Sequence, residues 1–90
     1  MPSYRSFVFT DTFLDSYTSR DFSAADRARF KRALRLLDED ERHPSLRLHQ
    51  LQGPLAGVWS VSASDVLRIT FERLDGGRKL LGVCSRHYDR

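Results

Sequence analysis

The spacing of hydrophobic residues changes halfway along the chain, from a helical period to a strand period. In residues 24–42 an apolar stripe recurs at helical spacing and consists of Phe30, Ala33, Leu34 and Leu37. Ser23 suits the N-cap of this helix and Asp26 its first turn. Pro44 limits the helix, because the residue before a proline avoids helical backbone angles. The pattern therefore predicts one long amphipathic helix.

Shorter patterns predict the remaining elements. Four segments have the alternating or apolar character of strands: residues 4–10, 58–63, 66–74 and 79–85. Thr10 or Asp11 can cap a short helix after the first strand, and Gly76-Gly77 is a hairpin turn signal before the last one. We therefore expect a strand, two helices and three further strands.

This order predicts an α+β fold with the arrangement β-α-α-β-β-β, in one domain spanning residues 1–90. Both helices would cover one face of a largely antiparallel four-stranded sheet and leave the other face open. If Leu67, Ile69 and Phe71 point at the helices, alternation directs Arg68 and Thr70 into the open face.

The same alternation assigns the side chains of the last strand to two faces. If that strand is regular, Gly82, Cys84 and Arg86 face away from Leu81 and Val83. A histidine, a tyrosine and two arginines that converge at one edge of the sheet would suffice for proton transfer and phosphate binding without metal.

Composition narrows the class of protein. The 90 residues carry a formal net charge of +3, and 13 of the 15 basic residues are arginine, whose forked guanidinium binds phosphate well. This favours an anionic partner, although a solvated basic surface explains the charge equally well. Cys84 is the single cysteine, so an internal disulfide is excluded. With no signal-peptide or membrane-spanning pattern, we expect a cytoplasmic protein that does not enter a membrane.

The candidate chemical residues are His49, Arg68, Arg86, His87 and Tyr88. Each has a structural alternative. A terminal His-Tyr pair is often a frayed tail, and a loop histidine can simply bind backbone. A strand arginine can pair with an acid such as Glu41 or Glu72.

Several short motifs nevertheless occur together and in order. They are the H-x-L-x-G run at His49, Leu51 and Gly53, the Trp59-Ser60 pair, the R-I-T-F strand at Arg68–Phe71 and the ending VCSRHYDR. In this order the chain resembles the RelE superfamily of toxins from toxin–antitoxin systems over nearly its whole length. The ending is most similar to the YoeB branch, and the HPSLR stretch with the following histidine is closer to the YafQ branch.

The resemblance implies a type II toxin that works without metal or cofactor as a ribosome-dependent mRNA endoribonuclease. A ribose 2′-hydroxyl would attack its own 3′-phosphate in the ribosomal A site, and a cognate antitoxin would bind and block the toxin in a hetero-oligomer. By the resemblance, Arg68 stabilises the scissile phosphate and Arg86 is a second arginine. His87 and Tyr88 match the terminal pair of YoeB-type toxins, and His49 matches a histidine used by YafQ-like members.

Two features leave alternatives open. YoeB-type toxins use a glutamate as base where this chain has residues 43–46, and the nearest carboxylate here is Glu41. A ParE-like inhibitor of DNA gyrase would share the fold, although such relatives generally lack the terminal histidine and tyrosine. The third alternative is an inactive RelE-like domain that only binds an antitoxin.

Overall fold

The computed structural model describes residues 3–87, which form two helices and one five-stranded sheet. In chain order the elements are β1 (Phe7–Phe9), α1 (Asp11–Tyr17), α2 (Ala24–Glu39), β2 (His49–Gln50), β3 (Val58–Ser62), β4 (Leu67–Arg73) and β5 (Lys79–Arg86). The predicted α+β architecture is confirmed. The strand count differs, because the two-residue β2 pairs with β3 and adds a fifth strand.

Both helices begin at side-chain caps. The Thr10 hydroxyl accepts a hydrogen bond from the amide of Phe13, which starts α1. Ser23 and Asp26 form a capping box at the start of α2, in which each side chain accepts from the other residue's backbone amide. These contacts satisfy amides that have no partner within the helix. α2 ends at Glu39, a few residues earlier than the apolar pattern suggested.

The sheet has the order β1-β5-β4-β3-β2, in which β1 runs parallel to β5 and the other neighbours are antiparallel. Its core lies between one face of the sheet and the two helices. Phe30 and Leu37 of α2 are buried there with Val61, Ile69 and Phe71. Burial of these apolar side chains supplies most of the folding free energy in a domain of this size.

The last strand is not regular, and the expected division of its side chains is wrong. Phe71 pairs with Leu81, but Thr70 pairs with Val83, so Gly82 is an extra residue that forms a bulge. A side chain at Gly82 would come within 3.3 Å of the Thr70 hydroxyl, which explains the glycine. Beyond the bulge, alternation is reversed and Cys84 lies in the core beside Leu81.

Within residues 3–87, no helix is both long enough and apolar enough to cross a bilayer.

Candidate functional site

The face of the sheet turned away from the helices, here called the helix-free face, carries two of the predicted site residues. His49 pairs with Ser60, and Ser60 pairs with Thr70, so these three residues form a row across β2, β3 and β4. Arg68 lies on the same face, two residues before Thr70. Since neighbouring strands are about 4.8 Å apart, the backbones of β2 and β4 are roughly 10 Å apart. Two long side chains can approach one ligand across that distance.

The Arg68 side chain is held by backbone oxygens. Its Nη1 donates to the Ser64 carbonyl oxygen at 2.8 Å and to that of Leu67 at 3.1 Å. Neither Glu41 nor Glu72 binds it within residues 3–87, so the salt-bridge alternative is wrong there. Its Nη2 and Nε make no hydrogen bond inside the described range. One edge of the guanidinium is thus fixed, and the other edge is available to an anion.

His49 and His87 lie on opposite sides of Arg68. The exposed His49 ring contacts the Arg47 carbonyl oxygen through Nδ1 at 3.0 Å, which fixes the ring orientation and leaves Nε2 at its far edge. His87 follows β5, and its amide donates to the Val66 carbonyl oxygen at 2.6 Å. His49 is therefore level with Thr70 across the sheet, and His87 is level with Val66. Tyr88, the other predicted residue of the tail, lies outside the described residues.

Arg86 does not join this group. The reversed alternation turns it to the helix side, where its Nη2 lies 2.9 Å from the Asp26 carboxylate and its guanidinium is 5.7 Å from the centre of the Phe22 ring. The Ser23 amide, followed by Arg86, holds the pKa of Asp26 below its usual range. Arg68 and Arg86 therefore lie on opposite faces of the sheet and do not converge. Arg86 connects the end of β5 to the start of α2.

The Glu41 carboxylate also lies away from Arg68, in ion pairs with other residues. Its carboxylate binds Arg73 at 2.7 Å and Lys79 at 3.2 Å, on the helix side of the sheet. Hydrogen bonding to Arg73, supported by Lys79, lowers the pKa of Glu41 to about 2. A carboxylate with two cations bound to it is a poor base, so Glu41 is a weak candidate for proton transfer.

Sequence reasoning missed another carboxylate near Arg68. Asp65 lies in the turn between β3 and β4 and lines a groove of about 410 Å³ together with Ser64, Arg32 and Arg47. In the sequence Asp65 looks like an ordinary turn residue, because short polar residues are common in turns for backbone reasons alone. Only the shared Ser64, which contacts Arg68, places it beside the candidate site.

The Cys84 thiol is a poor candidate for a nucleophile. Its side chain is 3% exposed, and burial raises the pKa of the thiol to about 12 although a hydrogen bond from Ser16 opposes the shift. A thiol that stays protonated is a weak nucleophile. The chemistry of the helix-free face therefore depends on imidazole, guanidinium, hydroxyl and carboxylate groups.

Such a set suits attack on a phosphodiester. A guanidinium edge can bind the nonbridging oxygens, and groups on either side can take and give a proton. The described residues bring Arg68 and His49 onto one face, with the backbone of His87 near the start of β4.

Comparison with solved structures defines the class of fold. The two helices on a mixed five-stranded sheet are those of the RelE-like toxins. The YoeB/ParE toxin from Agrobacterium tumefaciens superposes with a TM-score of 0.71 at 21% identity, covering 91% of this chain and 98% of that toxin. YafQ from E. coli strain BL21(DE3) has a TM-score of 0.73 at 12% identity, over 89% of this chain and 90% of YafQ. A chain of the YoeB–YefM complex from Staphylococcus aureus has a TM-score of 0.69 at 15% identity, over 91% and 95%.

The resemblance seen in the sequence is thus confirmed at the level of fold, over nearly the full length of both chains. No family model matches this sequence, and no curated protein sequence matches it.

Proposed function

We propose that this chain is the toxin of a type II toxin–antitoxin pair and that it cleaves messenger RNA on the ribosome, in the cytoplasm. The observation that carries this proposal is the arrangement around Arg68. Its guanidinium is fixed at one edge by Ser64 and Leu67, while His49 lies to one side on the same face. The full-length match to toxins supports the same assignment.

The proposed reaction is an internal transesterification. The 2′-oxygen attacks the adjacent phosphorus, its proton passes to a base, and a bond forms between the 2′-oxygen and phosphorus. The bond from phosphorus to the 5′-oxygen breaks, and an acid protonates that leaving oxygen, giving a 2′,3′-cyclic phosphate and a 5′-hydroxyl end. Arg68 binds the nonbridging oxygens, whose negative charge rises in the transition state. The substrate supplies the nucleophile, so the protein supplies only proton transfer and positive charge.

His49 is the favoured base and His87 the favoured acid. Imidazole changes its charge near neutral pH and suits both roles. Asp65 is the second candidate for the base, because it lies on the turn whose Ser64 carbonyl holds Arg68. Roles for Tyr88 and Arg86 in this reaction rest only on the family resemblance.

The test measures mRNA cleavage and gyrase inhibition, which distinguish the ribonuclease from the two alternative functions. Purified protein is added to ribosomes translating a defined message, and cleavage is mapped by primer extension, with a DNA gyrase supercoiling assay run in parallel. Codon-phased cuts that disappear in Arg68→Ala support the proposal. Inhibition of gyrase without cuts supports a ParE-like role, and inactivity in both assays supports a domain that only binds an antitoxin.

We also propose a cognate antitoxin as partner. Structures similar to this one include toxins bound to the antitoxins YefM and DinJ. Here β1 lies at the edge of the sheet, where Val8 and Phe9 are 37% and 39% exposed and Leu14 of α1 is 47% exposed. An unpaired strand edge beside apolar side chains is a common binding site for an extended or amphipathic segment. Lys31 lines a pocket together with Phe9 and Leu14, and its positive charge favours an acidic segment.

Co-expression tests this partner. The product of a short open reading frame next to the gene should co-purify with the toxin and relieve its toxicity. Phe9→Asp with Leu14→Asp should weaken that complex without abolishing cleavage, whereas Thr18→Asp, at the end of α1, serves as the matched control. An unchanged complex with the double variant would remove this edge from the interface.

A further inference from the structure

A polar groove lies between α2 and the end of the sheet, next to Arg68. It encloses about 410 Å³ and is lined by Arg32 of α2, Ser45 and Arg47 of the following turn, and Ser62 and Ser64 at the end of β3. The groove thus combines two guanidinium groups with three hydroxyl groups. These are the groups that bind phosphate oxygens in proteins.

The two arginines of the groove belong to the group of arginines in residues 3–87 that no carboxylate neutralises. Arg29, Arg73 and Arg86 each form an ion pair with a carboxylate. Arg32 and Arg47 have no ion pair and no side-chain hydrogen bond within residues 3–87. Asp65 also lines the groove and offsets one of the two positive charges, but it binds neither arginine. An excess of positive charge therefore remains for a ligand.

Arg47 is held in an unusual backbone conformation. Its φ of 48° and ψ of 47° lie in the left-handed region, which is unfavourable for a residue with a Cβ atom. Its amide donates to the Pro44 carbonyl oxygen, and its own carbonyl oxygen contacts the His49 ring at 3.0 Å. Strained residues of this kind cluster at ligand sites. The contact of its carbonyl oxygen with the ring connects Arg47 in the groove to the candidate base.

We propose that the groove between Arg32 and Arg47 binds a phosphodiester group of the RNA strand, next to the linkage held by Arg68. This rests on the proposed function and adds a second phosphate site to it. Ser64 lines the groove and its carbonyl oxygen fixes Arg68, so the two phosphate sites share this residue. Binding there holds the strand in register while Arg68 stabilises the reacting phosphate.

The test measures RNA binding separately from cleavage. A short fluorescent RNA with 2′-O-methyl riboses cannot be cut, and its affinity is measured by anisotropy at several salt concentrations. We expect Arg32→Gln and Arg47→Asn each to raise Kd about tenfold at low salt and to lower the slope of log Kd against log salt by roughly 0.7. Asparagine tolerates the left-handed conformation, so Arg47→Asn changes the charge and keeps the turn.

Arg35→Gln is the matched control, because Arg35 is exposed on the same helix and does not line the groove. It should raise Kd clearly less than Arg32→Gln does, since Arg35 lies one helical turn from Arg32, outside the groove, and would act on the bound phosphate only by attraction through solvent. A loss in Arg35→Gln equal to that in Arg32→Gln would overturn the proposal in favour of diffuse attraction.

Two further results would overturn the proposal and leave the function standing. The first is a wild type that cleaves on ribosomes but does not bind the oligonucleotide in a salt-dependent manner. The second is that both groove variants bind the oligonucleotide as tightly as the wild type. If those variants instead sediment poorly with ribosomes that carry no message, the groove binds ribosomal RNA and not the substrate strand. Absence of cleavage by the wild type, with groove-dependent binding intact, would reject the ribonuclease function and retain the site.

Discussion

Arg68 and Arg86 lie on neighbouring strands and point to opposite faces of the sheet. Arg68 pairs with Ser85 on the helix-free face, whereas Arg86 pairs with Leu67 on the helix side and binds Asp26 at 2.9 Å. The bulge at Gly82 causes this separation, because one extra residue reverses every later side chain of β5. The two arginines therefore have different surroundings and should have different effects when they are removed.

Replacing Arg86 should affect stability more than catalysis. Arg86→Gln removes the ion pair between β5 and α2, and we expect the Tm to fall by about 4 °C while cleavage changes less than about fivefold. Asp26→Asn should lower the Tm in the same direction, and the double variant should be less destabilised than the sum of both. Thermal unfolding and ribosomal cleavage assays provide the two measurements. A large loss of cleavage at an unchanged Tm would instead establish the catalytic role that the family resemblance assigns to Arg86.

Replacing Arg68 should have the converse effect. Arg68→Ala removes the charge that we propose stabilises the transition state, which should cost about 2.7–4 kcal/mol of barrier and lower the cleavage rate about 10²–10³-fold. Arg78→Ala is the matched control, because Arg78 also donates to a backbone oxygen, that of Asp75, but lies in the exposed turn before β5. A soluble Arg68→Ala protein that still cuts at the wild-type rate would exclude Arg68 from the site.

The ion pairs of Glu41 should make stability depend on pH. The pKa of Glu41 is lowered from 4.5 to about 2 by Arg73 and Lys79, so its contribution is complete above about pH 4.5 and is lost as the pH falls towards 2. Glu41→Gln should lower the free energy of unfolding by about 1 kcal/mol at neutral pH, because Arg73 is 39% exposed and solvent screens the pair.

Urea unfolding at about pH 7 and about pH 3 measures this difference. The gap between the wild type and Glu41→Gln should be smaller at the lower pH. Glu39→Gln is the control, since Glu39 is exposed at the end of α2 and should give no such gap. A gap that grows on acidification would contradict the assignment.

Hydrophobic periodicity predicted the elements that bury a full apolar face. α2, β3 and β4 each place several side chains in the core, and their spacing is visible in the sequence because burial requires it. Thr10 and Ser23 were recognisable as caps for a similar reason, since few residue types satisfy free backbone amides.

The features that shape the candidate site have no comparable signal. β2 has two exposed residues, His49 and Gln50, so no apolar alternation indicates a strand. A glycine inside an apolar strand is compatible with both regular pairing and a bulge, so the sequence could not show the register shift at Gly82 that sets the side of Arg86. The left-handed conformation of Arg47 follows from its tertiary surroundings and not from residue type.

The two histidines should be distinguishable by the pH dependence of cleavage. A general base must be deprotonated to act and a general acid protonated, so a reaction that uses both has a bell-shaped profile. We expect His49→Gln to lower cleavage about 10²–10⁴-fold and to remove the rise on the acidic side, and His87→Gln to remove the fall on the basic side. Deleting residues 87–90 should cause the same loss as His87→Gln, with a small change in Tm because the backbone bond to Val66 is also lost.

Asp65→Asn completes this series, because Asp65, which lines the groove beside Ser64, is the second candidate for the base. If His49→Gln keeps the acidic limb and Asp65→Asn loses it, the turn carboxylate takes the proton of the 2′-hydroxyl and His49 only orients Arg47 through its contact with that carbonyl oxygen. If the deletion of residues 87–90 cuts messenger RNA as well as the full chain, the leaving oxygen must be protonated by another group, and the tail has no part in the reaction.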